Sequence, residues 1–374
     1  MRAIRNFWAP ISNAVNDNKW LQRGLIALLF LLLIIFPLLF PQSDTKVDVA
    51  TTAGAYVVMA LGLNIVVGFA GLLDLGYIAF YAVGAYCYAL LASPHFGLHL
   101  PFWVILPIGA AMACVFGVLL GAPTLRLRGD YLAIVTLGFG EIVRIFLNNL
   151  SQPVNITNGP QGVTLIDPLR IGGFSFSTTD TFAGLTFSGP IKYYFLLLVV
   201  LAVVIVINLR LQRSRLGRAW VAIREDETAA QAMGINTRNV KLLAFAMGAS
   251  FGGVAGGIFA ASQGFISPES FVFVESIMVL SMVVLGGMGH IPGVILGAVL
   301  LAIFPEFLRS TMGPLQHWLF GHQIIDTEVI RQLLYGLAMV LIMLYRSEGL
   351  WPAPKHEDKI AKLAKRGAKK PVRA

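Results

Sequence analysis

Stretch after stretch of this chain runs for about 18 residues or more almost without charge, and each is long enough to cross roughly 30 Å of hydrocarbon as a helix. That pattern leaves few folds open. The bilayer core hydrates no backbone group, so a spanning segment must be a helix or part of a closed barrel. Continuous rather than alternating apolar runs select helices. Hydrophobic residues make up 57% of the chain and charged residues 13%, with a mean hydropathy of +0.76, so a soluble globular core is excluded. The fold class is all-α, a polytopic transmembrane helical bundle.

The spans read at about 24–40, 51–68, a Gly-rich passage leading to a third that ends near 92, then 102–123, 130–148, 191–208, 241–262, 273–287, 292–308 and 329–345. That is about ten. Residues 1–23 form a cytoplasmic amphipathic N-terminus, with Phe7, Trp8, Ile11, Val15 and Trp20 suited to an interfacial helix. Residues 24–348 are the transmembrane domain, and 349–374 a basic cytoplasmic tail that reads as disordered and attracted to lipid headgroups. Residues 149–190 are a long extracytoplasmic loop, and 310–328 also lie outside.

The formal charge of +9 is sorted by place. The tail holds eight Lys/Arg against Glu357 and Asp358, whereas residues 151–190 hold only Arg170 against Asp167 and Asp180. Basic residues concentrate in cytoplasmic loops, which puts the N-terminus, the central loop and the tail inside and argues against nucleic-acid binding. That central loop, 209–241, carries Arg210, Arg213, Arg215, Arg218, Arg224, Arg238 and Lys241 beside the triplet Glu225-Asp226-Glu227. Its pattern is that of an amphipathic helix with Trp220, Ile223, Ala230 and Met233 on one face and Gly234 closing it. A polar helix hung between two spans suits docking on another protein; a loop that merely sets topology is the plainer alternative.

Gly76–Ala85 and Gly289–Ala298 share the pattern G-x-I-x5-G-A, a weak two-fold internal repeat at Gly-interrupted helix pairs. Broken segments in corresponding halves of a transporter point to the substrate path, although small residues also serve close helix packing. Ionisable residues at membrane depth are few: Asp74, Glu141 with Arg144 three residues on, and Glu275. Glu141 and Arg144 have the spacing of an intrahelical ion pair. Asp74, between Gly71 and Gly76, either accepts from a loosened backbone or lies at the cytoplasmic surface. No chain of Asp, Glu and His threads the spans, against an ion-coupled secondary transporter.

No phosphate-cradling G-x-x-x-x-G-K-[ST] occurs, nor H-E-x-x-H, nor G-x-S-x-G. His95 and His99 sit in a Pro/Gly loop with no carboxylate beside them, and Cys87 and Cys114 read as buried free thiols. The chain therefore reads as a non-enzyme with no metal.

Five runs carry a resemblance: ALGLNIVVGFAGLLDLGYIAFYAVGAY (60–86), LRLRGDYLAIVTLGFGEIVRI (125–145), GRAWVAIREDETAAQAMGI (217–235), QGFISPESF (263–271) and VLGGMG (284–289). Over about 50–350 the chain resembles the LivM-type permease subunits of bacterial high-affinity branched-chain amino-acid ABC importers. Permeases for urea and short amides look similar over much of this length and stand as the competing substrate class. The resemblance implies ATP-driven import of leucine, isoleucine and valine across the bacterial inner membrane. The implied partners are a LivH-like second permease, two cytoplasmic ABC ATPase subunits that hydrolyse the ATP, a periplasmic amino-acid binding protein and membrane lipid, with no cofactor bound by this chain. The family's ATPase-docking pattern E-A-A-x-x-x-G falls on Ala229, Ala230 and Gly234, with Thr228 where the acid is expected and Glu227 one place earlier. The implied coupling residues are Gly217, Arg218, Arg224, Glu225, Asp226, Glu227, Ala229, Ala230 and Gly234. The candidate path residues are Asn64, Gly68, Gly71, Asp74, Gly76, Gly84, Glu141, Gly286, Gly287 and Gly289. Asn158, Gly159 and Gly162 are the expected binding-protein-facing residues.

Overall fold

The computed structural model describes residues 44–320 apart from 125, 126, 128, 152–154, 172, 173, 183 and 184, together with 32–37 and scattered positions between 329 and 351. The expected N-terminal helix, most of the first and tenth spans and most of the basic tail lie outside the described residues. Among those described, six helices are long and apolar enough to cross a membrane. The chain is a multi-pass membrane protein.

The helices in order are α1 (Asp44–Leu63), α2 (Ile78–Leu91), α3 (Phe102–Thr124), α4 (Asp130–Asn149), α5 (Gly189–Arg213), α6 (Arg215–Glu225), α7 (Glu227–Ala232), α8 (Thr237–Gln263), α9 (Phe273–Gly286) and α10 (Ile291–Phe320). Most fall where the apolar runs place them. α10 departs: it extends through Phe320, into 310–328 read as outside, with Pro305, Gly313 and Pro314 all inside the helix. The 149–190 loop, expected to lie outside, also departs from an all-helical reading. It holds two small antiparallel hairpins, Arg170–Ile171 with Phe174–Ser175 and Asp180–Phe182 with Leu185–Phe187. The buried Lys192 at the start of α5 pins this loop, donating to the carbonyls of Ser175 (2.8 Å) and Thr178 (2.6 Å) and to Asp180 Oδ2 (2.6 Å).

The core is organised around α8, which packs on α1, α2 and α3. Small residues permit this. A Cβ added at Gly248 would lie 2.9 Å from the Gly62 carbonyl oxygen, one at Gly253 2.8 Å from that of Gly109, and one at Gly256 2.0 Å from that of Tyr81. Lipid tails are as apolar as leucine, so spans associate through such close backbone contact rather than through a hydrophobic drive. The stripe Gly248, Gly252, Gly256 at four-residue spacing was in the sequence, and it is the signal that would have marked α8 as central.

Two connections run between helices without an α-helix of their own. α1 runs into a six-residue π-helical turn, Asn64–Phe69, after which residues 70–77 leave the helix and return into the bundle before α2 begins. The chain after α8 likewise passes through 264–272 without an α-helix before α9 starts at Phe273. The amide of Ile78 donates to Ser276 Oγ (3.1 Å), so the first turns of these two short helices meet inside the bundle. Irregular backbone survives at membrane depth only where protein satisfies it. Here Leu75 N donates to Thr136 Oγ1 (3.0 Å) and Gly76 N to Asp74 Oδ1 (2.9 Å).

Candidate coupling and translocation site

The amphipathic stretch is two helices, not one. Ser214 caps α6 by accepting from Gly217 N (3.1 Å). Asp226 then adopts an extended conformation and caps α7, its Oδ1 accepting from Thr228 N (2.8 Å) and Ala229 N (3.0 Å). The break resets the helical phase. Trp220, Ile223 and Ala230 are buried as expected, but Met233 is 83% exposed and leaves the expected common face.

Trp220 is the anchor: fully buried, with Nε1 donating to the Val240 carbonyl (2.8 Å). Trp220→Ala should cost roughly 3–5 kcal/mol, the range for emptying a large aromatic site. That cost would appear as a lower midpoint of thermal inactivation of the solubilised protein. Gly217 is buried where a Cβ would sit 2.2 Å from the Leu211 carbonyl oxygen, which fixes the α5–α6 corner. Glu227 does not face outward as a docking acid; it pairs with the buried Lys241 (2.6 Å) and ties α7 to α8. Arg218 is exposed and donates to the Arg213 carbonyl (2.9 Å). Glu225, Ala229 and Gly234 are exposed. Gly234 has φ +81°, a left-handed turn that only glycine adopts cheaply, and it carries the chain from α7 towards α8.

Arg224 was expected among the coupling residues, but the contact it makes was not. Its backbone is on the exposed helix, but its guanidinium reaches inward and Nη1 donates to the carbonyl of Gly68 in the π-turn. Its Cγ fills the space beside Gly71, 2.7 Å from where a Cβ would stand. Asn64, fully buried one turn earlier, accepts from Gly289 N through Oδ1 (2.8 Å). A Cβ at Gly68 would fall 1.9 Å from that Asn64 oxygen and 2.6 Å from Gly289 N; one at Gly289 would fall 3.0 Å from Arg224 Nη1. Asn64, Gly68, Gly71, Gly289 and Arg224 thus form one contact node between α6, the end of α1 and the turn before α10. Protonated guanidinium to carbonyl is a charge-assisted bond, stronger than a neutral one.

The remaining expected path residues divide. Gly286 is buried at the α9–α10 crossing, where a Cβ would lie 2.3 Å from the Gly293 carbonyl oxygen. Gly287 lies beside it, φ +112°, with Leu350 N and Trp351 N donating to the Leu285 (2.7 Å) and Gly286 (3.2 Å) carbonyls. His290, next in this turn, has its imidazole pushed below the usual histidine range by burial, and its Nδ1 lies 3.0 Å from the Trp351 carbonyl. Asp74 is fully buried, not at the surface, and caps the non-helical passage at Gly76. Gly76 abuts α4, a Cβ there falling 2.0 Å from the Thr136 carbonyl oxygen. Gly84 lies away from the node, locked in the α2–α8 contact. Glu141 pairs with Arg144 on α4 as the spacing predicts, and Arg144 also reaches Glu269 (3.1 Å), which the sequence did not single out.

In the loop, Asn158 is left-handed (φ 61°) and its Nδ2 donates to the Gly162 carbonyl (2.9 Å). Gly159 is packed on the end of α4 and Gly162 on Ile266, so both are required by the loop itself. His99 contradicts the expectation that no carboxylate joins the histidines, because Asp167 Oδ2 meets its Nδ1. No group of three metal ligands forms among the described residues. Cys87 and Cys114 are free and half-buried.

The family model described as the branched-chain amino acid transport system permease component matches residues 46–343. The chain is 45% identical to the high-affinity branched-chain amino acid transport system permease protein LivM of Escherichia coli, covering 95% of this chain and 80% of that protein. Identity to the LivM of Salmonella typhimurium is 43%, covering 96% and 82%. The Escherichia coli permease protein LivH is 27% identical, covering 68% and 81%. No solved structure matches. The chain accordingly belongs to the branched-chain amino acid transport system permease family.

Proposed function

We propose that this chain is one permease subunit of an ATP-driven importer of leucine, isoleucine and valine in the bacterial inner membrane. It crosses the membrane about ten times with both termini in the cytoplasm, the transmembrane domain running 24–348 between a short amphipathic N-terminus and a basic tail. A LivH-like second permease completes the path. A periplasmic binding protein docks on the 149–190 loop around Asn158, Gly159 and Gly162, and two ATPases bind the cytoplasmic side. The chain binds no cofactor of its own; its partners hydrolyse the ATP.

The observation that carries this reading is the Arg224–Gly68 contact. An ATPase pushing on α6–α7 moves Arg224, and Arg224 is bonded to the backbone at the point where α1 breaks. Asn64 passes that displacement to Gly289 and the start of α10. Exposed Met233, Glu225 and Ala229 offer the docking surface. The stretches Gly76–Ala85 and Gly289–Ala298 sit at the starts of α2 and α10, at or beside these breaks, in keeping with an internal repeat. The path runs along the breaks, past Asn64, Gly68, Gly71, Asp74, Gly76, Gly286, Gly287 and Gly289, with Glu141 on the adjoining face of α4.

The deciding experiment is uptake of labelled leucine and of labelled urea into proteoliposomes holding this chain, its second permease, both ATPases and the binding protein. Leucine uptake that needs ATP is the expected result. Urea uptake alone overturns the substrate, and uptake by this chain alone without ATP overturns the mechanism. Gly234→Val should abolish leucine uptake, because a β-branched residue in the left-handed region costs at least ~1–2 kcal/mol and unwinds the turn behind α7. Substrate capture by the binding protein stays normal. Undiminished uptake by that variant would remove Gly234 from the coupling element.

A further inference from the structure

A cavity of about 60 Å³ opens between α1, α2, α5 and α8, several times the ~10–15 Å³ that one water needs. Two stripes of α1 wall it: Asp48, Thr52 and Tyr56 at four-residue spacing, with Thr51, Ala55 and Met59 beside them. It descends from an exposed rim at Asp48, Thr52 and Gln263 to buried Met59, Tyr81, Leu197 and Ile258. Asp48 is the one carboxylate among the described lining residues, and no Lys or Arg joins it there. Below, Tyr56 Oη donates to Glu275 Oε2 (2.8 Å) in the first turn of α9. Tyr81 meets the rings of Phe259 and Phe271 (centroids 5.4 and 5.6 Å), which ties the floor to the 264–272 passage. At the rim, the 149–190 loop is fastened to the chain just beyond Gln263. Ile166 N donates to the Gly264 carbonyl (3.2 Å) and Val163 N to that of Ile266 (2.9 Å). An apolar cavity with a few polar groups gathered at its mouth has the form of a small-molecule site.

We propose that this cavity receives the side chain of a branched aliphatic amino acid handed over at the outer surface, beside the 149–190 loop. The isobutyl or isopropyl group lies against Ala55, Met59, Leu197 and Ile258, and the ammonium meets Asp48. The carboxylate stays at the rim, turned away from Asp48, where Thr52 and Gln263 offer a hydroxyl and an amide and water completes its shell. A zwitterion is net neutral, so the formal charge of the site does not change. What binding gains is one opposite-charge contact and the burial of the alkyl group. The Tyr56–Glu275 bond and the Tyr81 ring layer close the cavity from below until α9 moves. Urea and short amides carry no alkyl group to fill it. This assignment rests on the amino-acid import reading above.

The test uses the complete complex in proteoliposomes, carrying Ser262→Cys in a Cys87→Ala, Cys114→Ala background. Ser262 lines the cavity and is half-buried, so the new thiol should react with a small membrane-impermeant reagent added on the side of the 149–190 loop. Saturating leucine should slow that reaction at least tenfold, and urea should not slow it. Isoamylamine, which is leucine without its carboxylate, should also protect; isocaproate, which lacks the ammonium, should not. Asp48→Asn should weaken the protection by leucine severalfold and leave the thiol as reactive as before. Ala55→Leu places a branched side chain of the protein's own in the cavity, and should abolish protection and cut leucine uptake at least tenfold with all subunits assembled. An unreactive thiol, a reaction that leucine does not slow, equal protection by isocaproate, or full leucine uptake by Ala55→Leu would each overturn the proposal. Should Ala55→Leu fail to assemble, the labelling decides alone. Absence of leucine uptake by the unmutated complex would instead refute the import reading itself; the labelling needs no transport, so the two failures are told apart.

Discussion

Arg224→Gln should reduce ATP-driven leucine uptake at least tenfold while leaving this chain assembled with its ATPases. Glutamine keeps most of the stem but is too short and uncharged to hold the Gly68 carbonyl, so the charge-assisted bond is lost and a buried acceptor is left exposed to apolar surroundings. Such a bond contributes about 1.5–3 kcal/mol, modest against the anchoring of α6 by Trp220. The helix therefore stays docked, and what disappears is the link between its movement and the end of α1. ATP hydrolysis should continue at its basal rate and lose its stimulation by substrate-loaded binding protein. Two assays on one preparation decide the matter: uptake, and stimulated against basal hydrolysis. Retained uptake with normal stimulation would show that coupling runs elsewhere. Arg224→Lys should recover only part of the loss, since lysine offers a point charge without the planar fork that also packs beside Gly71 and Gly289.

The second large effect is on assembly of the bundle. In Gly84→Ala the new methyl would stand 2.1 Å from the Gly253 carbonyl oxygen and 2.4 Å from Gly253 Cα. Both are backbone, so no rotamer change relieves the clash and α2 must part from α8. Overpacking of a close contact typically costs about 1–3 kcal/mol or more, and here it falls on the helix against which three others pack. Yield of folded protein in mild detergent and its thermal midpoint should both fall sharply. Gly138→Ala is the internal control. Nothing lies within 4 Å of its Cβ, and alanine favours the helix by about 1 kcal/mol, so that variant should match or exceed the parent. Equal stability of the two variants would mean that α2 and α8 are not in the close contact described.

Span positions were legible in the sequence because apolar length is a one-dimensional signal. α3, α5, α8 and α9 begin and end within a few residues of their expected limits. The Gly-rich passage after residue 68 was recognisable as a break, and so was the Glu141–Arg144 pair, since both depend on neighbours in the chain. Arg224 and Asn64 were named, but their shared node was not, because it joins groups 156 and 225 residues apart in sequence. Glu269 was passed over for the same reason: it meets Arg144 from 125 residues away. The split at Asp226 was missed because the apolar pattern continues across it. Only the paired amides of Thr228 and Ala229 on its carboxylate show that a new helix starts there.

The unwound passage before α2 has a consequence for watching this protein work. Its amides at Leu75, Gly76 and Ile78 are held by three side chains, Thr136, Asp74 and Ser276, borne on α4, on the passage itself and on α9. In a regular helix, amide protons are sheltered by the same segment and report only its own unravelling. Here deuterium can enter Leu75 only when α4 withdraws, and Ile78 only when α9 does. Isotope uptake on a single short peptide therefore times the separation of two different walls, with Gly76 as the built-in reference that stays sheltered by its own neighbour.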